Sequence, residues 1–270
     1  MPSIEINGAA LHYEDSQRGD ETIFFAHGLL FNLDIFRSQI DYFKDKYRCV
    51  AFDFRGQGRS EIMLKGYDMD SLTEDAVGLI EKLDCGPCHF VGLSMGGFVG
   101  LRVALKYPEI LKSLTLIDTS SDEESSKFKY KLLNILASWF GLKSVINKVT
   151  PIMFSDSFLN DPQKRETLEL WKRVIINNHP VGVNRSVNGV IKRDSITDKI
   201  HQIEMPTLIM VGEHDVATIL SKSEKMNSLI KGSQLEIIPG VGHMSVIEDP
   251  DSVTELMEKF LHSIMDTPAK

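Results

Sequence analysis

The fold of this chain is decided by the stretch His89-Phe90-Val91-Gly92-Leu93-Ser94-Met95-Gly96-Gly97, in which a short apolar run leads through a serine between glycines into a segment of helical period. A strand that turns sharply into a helix needs small residues on both sides of the turn, because the strained backbone brings them together. Gly92 and Gly96 meet that requirement, and Gly97 lets the helix pack closely. The pattern predicts a turn that holds the Ser94 hydroxyl clear of a sheet.

Short apolar runs rich in Ile, Val and Phe alternate with longer stretches of helical period on either side of this turn. That alternation is typical of a mostly parallel sheet covered by helices. Strands are predicted at residues 4–6, 11–14, 22–26, 49–52, 89–91, 114–117, 207–211 and 235–238. Helices that cover the sheet are predicted at residues 70–83, 95–107 and 251–262.

The alternation stops between residues 117 and 207, where helical periodicity continues without a convincing strand. A loop of that length without structure is unusual in a compact domain, so we interpret the segment as an inserted helical cap. The sequence therefore predicts a core at 1–120 and 206–270, interrupted by a cap at 121–205.

Length and charge limit the class of protein. The 270 residues suit one α/β domain with an insertion. A formal net charge of -8 disfavours nucleic acid, because phosphate binding needs a clustered Lys/Arg face. The start of the chain lacks the features of a secretory signal, and no apolar run approaches the ~18 residues of a membrane span. We expect a cytoplasmic protein that binds a small molecule and has no membrane span; its oligomeric state stays open.

The three cysteines, Cys49, Cys85 and Cys88, are too few and too clustered for a disulfide framework. The string Cys85-Gly86-Pro87-Cys88 spells a redox motif, but a reactive first cysteine needs a helix N-terminus that lowers the pKa of its thiol. A strand is predicted after this motif, so we interpret it as a plain loop.

A serine hydroxyl is a weak nucleophile at neutral pH and needs a base within hydrogen-bond reach, and that base needs a third group to fix its tautomer. His243 follows the last predicted strand, and Asp215 lies four residues after the strand at 207–211. Side chains at the carboxyl ends of parallel strands meet at one edge of a sheet. The order serine, aspartate, histidine predicts Ser94 as nucleophile, His243 as general base and Asp215 as the orienting acid.

Each of these assignments has an alternative. Asp118 follows the strand at 114–117 and is the other candidate for the acid. Taken alone, Asp215 would be interpreted as a helix N-cap. His214 is a weaker alternative base, because it precedes a helix on the same loop as Asp215. Asp215 is favoured over Asp118, because it lies in the strand-end loop that usually carries the acid in the order serine, aspartate, histidine.

The negatively charged oxygen of a tetrahedral intermediate needs preorganised donors, each of which contributes ~3 kcal/mol of transition-state stabilisation. The Met95 N–H at the turn is one predicted donor of this oxyanion hole. The loop after the third strand, His27-Gly28-Leu29-Leu30, is expected to supply the second through the Leu29 N–H. His27 is predicted to brace this loop.

The cap is predicted to form an apolar lid over Ser94 that favours short-to-medium, uncharged acyl groups. The predicted substrate contacts are Leu30 from the core and Trp139 and Trp171 from the cap, and Leu29 and Met95 complete the floor of the pocket. The alternative is that the bulky cap residues only hold the lid together; they are Phe128, Trp139, Phe140, Met153, Phe154 and Trp171. The cap arginines are interpreted as solvated, with recognition of a substrate carboxylate as the alternative; they are Arg165, Arg173, Arg185 and Arg193.

These motifs resemble those of the α/β-hydrolase superfamily, and the resemblance covers nearly all of the chain outside the cap. The string Asp53-Phe54-Arg55-Gly56-Gln57-Gly58-Arg59-Ser60 is similar to the family's D-x-R-G-x-G-x-S turn, which is structural. The resemblance implies the α/β-hydrolase fold: an eight-stranded, mostly parallel sheet flanked by helices, with an inserted helical cap.

Within the superfamily the chain is most similar to small bacterial carboxylesterases and 3-oxoadipate enol-lactonases, which share Gly-x-Ser-Met-Gly-Gly turns and a helical cap. The resemblance implies a carboxylesterase that acts through an acyl-enzyme. Enol-lactonases often carry Arg-Trp-Phe in the cap, where this chain has Pro151-Ile152-Met153-Phe154. An enol-lactonase, a meta-cleavage C–C hydrolase and a non-catalytic binding or signalling protein remain the alternatives.

No cofactor or metal is predicted. The eight histidines show neither H-E-x-x-H nor another paired spacing of metal ligands. No phosphate-binding string of the Walker type occurs, and Gly56-Gln57-Gly58 stops short of a dinucleotide fingerprint.

Overall fold

A sheet of eight strands runs through the computed structural model, which describes residues 2–265. The strands are β1 (Ser3–Ile6), β2 (Ala9–Asp15), β3 (Thr22–Ala26), β4 (Arg48–Phe52), β5 (Cys88–Leu93), β6 (Leu111–Ile117), β7 (Thr207–Gly212) and β8 (Gln234–Ile238). Their order across the sheet is β1-β2-β4-β3-β5-β6-β7-β8. The strand β2 is antiparallel to β1 and β4, and all other neighbours are parallel. The predicted eight-stranded, mostly parallel sheet is confirmed, and each predicted strand lies within an observed one.

Eleven α-helices accompany the sheet within residues 2–265. They are α1 (Arg37–Phe43), α2 (Met69–Lys82), α3 (Met95–Lys106), α4 (Lys127–Phe140), α5 (Ile146–Met153), α6 (Asp156–Asn160), α7 (Arg165–Asn177), α8 (Pro180–Ile191), α9 (Leu220–Leu229), α10 (Ser245–Glu248) and α11 (Pro250–Met265). The Asp68 carboxylate begins α2 by accepting a hydrogen bond from the Ser71 N–H. None of the described helices combines the length and apolar character of a membrane span.

The sheet is buried on both faces, as a parallel sheet between helices requires. In the central strand β3, Ile23 and Phe25 pack into one apolar cluster, and Phe24 and Ala26 pack into the other. This alternation follows from the two-residue period of a strand. Residues of α1 and α11 belong to the first cluster, and residues of α2, α3 and α9 belong to the second.

The five helices α4–α8 lie between β6 and β7 and are not interrupted by a strand. The first of them, α4, begins six residues after the predicted start of the cap at residue 121. Helices α4 and α8 pack together, and the Asn184 side chain donates a 2.7 Å hydrogen bond to Ser138 Oγ. The helical character of the insertion is therefore observed, whereas its division from the core as a separate lid stays a prediction.

The Cys85–Cys88 string joins α2 to β5, and Cys88 is itself the first residue of the strand. Both thiols are buried. Burial raises the pKa of Cys85 to about 12 and the pKa of Cys88 well above its ordinary value. The string lacks the following helix that would lower a thiol pKa, in agreement with its interpretation as a loop.

Candidate active site

Ser94 occupies the turn between β5 and α3 with φ 52° and ψ -110°, a backbone conformation that L-residues rarely adopt. The turn is tight because a Cβ atom on Gly96 would lie 2.0 Å from the Ala26 carbonyl oxygen. A Cβ atom on Gly92 would lie 2.4 Å from the Gly96 carbonyl oxygen. The two glycines are thus required by close backbone contacts, and they hold Ser94 in the strained turn that the sequence predicts.

A chain of hydrogen bonds joins the three residues proposed for catalysis. Ser94 Oγ lies 2.9 Å from His243 Nε2, and His243 Nδ1 lies 2.8 Å from Asp215 Oδ2. All three side chains are buried, and they follow β5, β8 and β7 respectively. With the Nδ1 proton donated to the carboxylate, Nε2 is free to accept the serine proton.

Asp215 is fixed by more than the histidine. Its Oδ1 atom accepts hydrogen bonds from the N–H groups of Ala217 at 2.7 Å and Thr218 at 2.9 Å, as a capping carboxylate does. Its Oδ2 atom accepts a 2.6 Å hydrogen bond from the Thr218 hydroxyl. The same carboxylate therefore caps the turn and faces His243. The sequence analysis missed Thr218, although a hydroxyl residue three positions after an aspartate was a readable signal.

Asp118 lies near this chain but does not bond to His243. Its oxygens accept hydrogen bonds from the Gly212 N–H at 2.8 Å, the Ser245 N–H at 3.1 Å and the Ser245 hydroxyl at 2.6 Å. Burial, and then the negative charge of Asp215, raise the pKa of Asp118 to about 7. Asp118 thus ties the end of β7 to the segment after His243, and the geometry favours Asp215 as the partner of the histidine.

The charges of the site act on the pKa of His243 and Asp215 in opposite directions. Burial alone lowers the pKa of His243, but the charge and hydrogen bond of Asp215 outweigh it and the net shift is upward. Burial alone raises the pKa of Asp215, yet His243 and Thr218 bring it below its ordinary value. His214, the alternative base, is exposed and takes no part in the hydrogen bonds that join Ser94, His243 and Asp215.

The two predicted oxyanion donors lie beside Ser94 on the wall of a cavity. Within residues 2–265, the N–H groups of Leu29 and Met95 donate no hydrogen bond to a protein acceptor. The neighbouring Leu30 N–H is already used, because it donates to Gln57 Oε1 at 2.7 Å. Gln57 Nε2 lies 3.9 Å from Met95 Sδ, so this one buried side chain contacts both sides of the predicted oxyanion hole. The position of Gln57 between two glycines of a turn does not indicate, from the sequence, that its side chain contacts the oxyanion hole.

His27 braces the loop that carries Leu29. Its Nε2 atom accepts a 3.0 Å hydrogen bond from the Phe54 N–H, and its Nδ1 atom lies 2.7 Å from the Gly28 carbonyl oxygen. Burial lowers the pKa of this histidine, which favours the neutral form that can accept and donate at once. These contacts match the structural role predicted for His27.

A cavity of about 90 Å³ opens above Ser94 between the sheet edge and the inserted helices. Its lining includes Leu29, Leu30 and Met95 from the core, as the sequence predicts for the floor. The insertion contributes an apolar wall; it is formed by Leu133, Ala137, Leu142, Val145, Val149, Ile152, Met153, Val183, Val187 and Val190. Tyr130 and Asn134 add polar atoms to an otherwise apolar space.

One charged pair lies at the edge of this cavity. Glu124 lines the space, and its Oε2 atom accepts a 2.8 Å hydrogen bond from Arg193 Nη1. The Arg193 guanidinium lies 4.1 Å from the centre of the Phe98 ring, which also lines the cavity. Arg193 is buried, so its predicted place on a solvated face is wrong. Arg165 and Arg173 are exposed, in line with that prediction.

The model of the alpha/beta hydrolase fold family matches residues 21–250. The chain belongs to this family. It is 25% identical over 257 residues to 3-oxoadipate enol-lactonase 2 of Acinetobacter baylyi, a match that covers 95% of this chain and 94% of that protein. An esterase of Thermogutta terrifontis superposes with a TM-score of 0.90 at 27% identity, over 98% of this chain and 99% of that one. The enol-lactonase of Burkholderia xenovorans shares the fold with a TM-score of 0.90 at 24% identity, over 97% and 100%.

Neither of the two tryptophans predicted to contact substrate lines the cavity of this alpha/beta hydrolase. Trp139 lies on the outer face of α4 and is exposed, whereas the cavity lining from that helix comes from the opposite face. Trp171 is buried away from the cavity, with its ring centre 5.7 Å from that of Phe31. Helix α4 is apolar on two faces, so its periodicity alone could not say which face turns inward.

The other bulky cap residues divide in the same way. Met153 lines the cavity, and Phe154 stacks on Phe158 with ring centres 5.1 Å apart. Phe128 and Phe140 are exposed at the two ends of α4. Hence only one of the six contributes to the pocket, and smaller aliphatic residues form most of its wall.

A buried carboxylate that the sequence analysis did not single out connects the insertion to the His243 loop. Glu248 Oε1 accepts a 3.0 Å hydrogen bond from the Gly242 N–H, one residue before His243. The same carboxylate accepts hydrogen bonds from the N–H and the hydroxyl of Ser155, at the start of α6. Burial raises the pKa of Glu248. Its position two residues before Pro250 suggested a helix boundary, not a contact with the site.

Proposed function

We propose that this protein is a serine hydrolase that cleaves carboxylic esters with uncharged, apolar acyl groups. The observation that carries the proposal is the hydrogen-bonded chain Ser94–His243–Asp215, which opens into an apolar cavity. A nucleophile, a base and an acid in this geometry perform acyl transfer on several unrelated folds. The relatives named as esterases and enol-lactonases support hydrolysis at a carboxylic carbonyl.

In the proposed reaction, Ser94 Oγ attacks the ester carbonyl carbon while His243 Nε2 takes the serine proton. The carbonyl oxygen becomes an anion that the N–H groups of Leu29 and Met95 stabilise. His243 then gives its proton to the leaving alcohol, and an acyl-enzyme remains on Ser94. Water, activated by the same histidine, attacks the acyl-enzyme and releases the carboxylic acid.

The size and charge of the cavity support a short-to-medium acyl group. The volume of about 90 Å³ is several times the ~10–15 Å³ that a single water needs, so the cavity has room for more than one small group. No lysine or arginine is among the described lining residues, and the Glu124 carboxylate is neutralised by Arg193. An apolar acyl chain therefore fits this lining better than an anionic one does.

A lactone that carries a carboxylate is a second candidate, because of one orphaned atom. Arg193 Nη2 is buried without a hydrogen-bond partner among the described residues, close to the Phe98 wall. A substrate carboxylate that reached this atom would complete its hydrogen bonding. The relatives named 3-oxoadipate enol-lactonase favour the same candidate.

The two candidates predict opposite substrate preferences. We expect kcat/KM for p-nitrophenyl butyrate to exceed that for 3-oxoadipate enol-lactone by at least tenfold. The lactonase proposal would replace the esterase one if the protein preferred the lactone and if Arg193→Met reduced kcat/KM for the lactone more than for the butyrate. Covalent labelling of Ser94 by a fluorophosphonate probe, combined with measured turnover, distinguishes either enzyme from a non-catalytic scaffold.

Replacement of the nucleophile is the direct test of the mechanism. We expect Ser94→Ala to lower kcat on p-nitrophenyl butyrate by about a millionfold, down to the residual rate that binding and oxyanion donors supply. The matched control is Ser223→Ala, because Ser223 is equally buried, lies on α9 and has no hydrogen-bond partner among the described residues. Near-native turnover in Ser94→Ala would exclude the proposed mechanism.

A further inference from the structure

Helix α4 carries a second apolar face, on the side opposite the cavity. Tyr130, Leu133 and Ala137 face the cavity. The outward residues Phe128, Leu132, Ile135 and Trp139 are 82%, 48%, 44% and 78% exposed. Their spacing of four, three and four positions places them on one side of a helix. We refer to these four residues as the outer stripe of α4.

The outer stripe is too continuous to be ordinary surface. Single exposed apolar residues are common, whereas a contiguous apolar patch of several hundred Å² marks an interaction site. Phe140, at the end of the helix, is also largely exposed, but ~100° per residue places it beside the stripe and not on it. The two aromatic residues of the stripe, Phe128 and Trp139, together leave on the order of 300 Å² accessible to solvent. Exposure on this scale indicates a surface that is covered when the protein works.

The charges around the outer stripe indicate what covers it. Helix α4 contains Lys127, Lys129 and Lys131 and no acidic residue, although the whole chain has a net charge of -8. Lys127 pairs with Glu123, whereas Lys129 and Lys131 form no ion pair within residues 2–265. At ~100° per residue, Lys129 and Lys131 lie on opposite flanks of the stripe. The apolar face is thus bordered by positive charge on both sides.

We propose that the outer stripe of α4 docks on an anionic lipid surface. Aromatic and aliphatic side chains flanked by lysines are the pattern of a helix that lies in a lipid interface, where the rings enter the acyl boundary and the ammonium groups meet the headgroups. A second copy of this chain is a poorer occupant, because two-fold pairing of α4 with itself would bring the two sets of lysines together.

Docking at this surface would place the site next to the lipid. The outer stripe and the cavity wall are the two faces of one helix, so a lipid surface bound to α4 lies one helix diameter from the space above Ser94. An acyl ester dissolved in that lipid surface would then lie close to the cavity. This consequence rests on the proposed function, whereas the docking itself does not.

The test is binding of the full-length protein to vesicles, measured by co-sedimentation. We expect binding to equimolar phosphatidylcholine and phosphatidylglycerol, at least tenfold weaker binding to phosphatidylcholine alone, and weakening as salt is raised. Because Trp171 is buried, a blue shift of tryptophan fluorescence on binding would report the entry of Trp139 into the lipid.

Paired variants separate the outer stripe from general effects of charge and apolar surface. Phe128→Gln with Trp139→Gln, and separately Lys129→Glu with Lys131→Glu, should each weaken binding at least tenfold at an unchanged melting temperature. Leu64→Gln and Lys231→Glu alter equally exposed residues elsewhere and should leave binding unchanged.

Two outcomes would overturn the proposal. One is the absence of vesicle binding, or binding that the α4 variants leave intact. The other is self-association of the wild-type protein that Phe128→Gln with Trp139→Gln abolishes, because it would assign the outer stripe to a second copy. Neither result depends on ester hydrolysis, so the proposed function can stand or fall separately.

Discussion

Asp215 and Asp118 are both buried carboxylates that follow parallel strands, and they differ in the groups that surround them. Asp215 accepts hydrogen bonds from a histidine, a hydroxyl and two N–H groups, and its pKa is lowered. Asp118 receives only backbone N–H groups and one serine hydroxyl, and burial raises its pKa to about 7. The hydrogen-bond partner of His243 is therefore Asp215, the carboxylate whose surroundings favour its ionised form.

This difference predicts the effect of two isosteric substitutions. Asp215→Asn should lower kcat by about three to four orders of magnitude, because the amide favours the wrong tautomer of His243. Asp118→Asn should have a much smaller effect. With melting temperatures unchanged, the reverse ranking of kcat on one ester would assign the orienting role to Asp118.

The pH profile gives a further test of the same pair. In the wild type the pKa of His243 is raised above its ordinary value of 6.5. As the pH is lowered, kcat/KM should therefore begin to decrease at a pH above 6.5, because the base becomes protonated. Asp215→Asn removes the charge that raises this pKa and leaves the burial that lowers it. We expect the acidic limb of its residual activity to lie at lower pH. An unchanged limb would show that Asp215 does not set the pKa of the base.

Glu248 is expected to act as a positioning residue. Its carboxylate accepts hydrogen bonds from the N–H groups of Gly242 and Ser155. Glu248→Gln replaces one acceptor oxygen with an NH₂ donor, which cannot accept these hydrogen bonds. Loss of such buried bonds costs about 1–3 kcal/mol of the free energy of unfolding. We also expect a reduced kcat at a similar KM, since the His243 loop loses its support. The control is Glu255→Gln, because Glu255 is exposed on α11; equal stability of the two variants would contradict this role.

At the scale of elements, the turn between β5 and α3 depends on the absence of side chains. A Cβ atom on Gly96 would lie 2.0 Å from a backbone oxygen, which cannot move without shifting β3. We expect Gly96→Ala to lower the free energy of unfolding by about 3 kcal/mol or more, as overpacking of a tight core does.

A second helical glycine provides the matched control for this change. A Cβ atom on Gly78 of α2 would meet the Ile6 Cγ2 methyl group at 2.9 Å and Asn7 Nδ2 at 3.8 Å, and these are side-chain atoms that can adjust. The better helix propensity of alanine, by about 1 kcal/mol, then offsets the contact. Gly78→Ala should be close to neutral in denaturant unfolding. Similar losses in the two variants would show that close backbone contact is not the reason for the glycine at position 96.

At the scale of the whole molecule, the cavity belongs to no single element. The sheet edge contributes the floor, and the insertion contributes the wall through α4, α5, α8 and the segment between α4 and α5. Glu248 and Asn178 connect the two parts: Asn178 donates a 2.7 Å hydrogen bond to the Leu30 carbonyl oxygen, beside the predicted oxyanion loop. The acyl preference should therefore respond to cap residues that lie far from Ser94 in sequence.

Enlargement of the cavity tests this dependence. Ile152 lines the cavity, whereas Ile175 is equally buried in the insertion but lies outside the lining. Both alanine variants should lose about 2–5 kcal/mol of stability, because each leaves a void. Only Ile152→Ala should improve kcat/KM for longer p-nitrophenyl esters relative to the acetate, by about fourfold for each newly accommodated methylene. The same shift in Ile175→Ala would mean that general loosening, not the lining, sets the preference.

The sequence by itself determined the sheet and the turn, because both depend on local patterns. Period-two burial marks strands such as β3, the glycines at 92 and 96 mark a turn that no other residue fits, and strand-end positions nominate Asp215 and His243. The choice between Asp215 and Asp118 needed only one further fact, the distance to His243.

Tertiary structure alone decided which faces of the inserted helices turn inward and which buried charges pair. Helix α4 is apolar on two sides, so its sequence was compatible with Trp139 either in the pocket or on the surface. Arg193 meets Glu124 across 69 positions, and Glu248 meets Ser155 across 93, separations that leave no periodic trace in the chain. Such contacts arise from the packing of one element on another, which depends on the shapes of both.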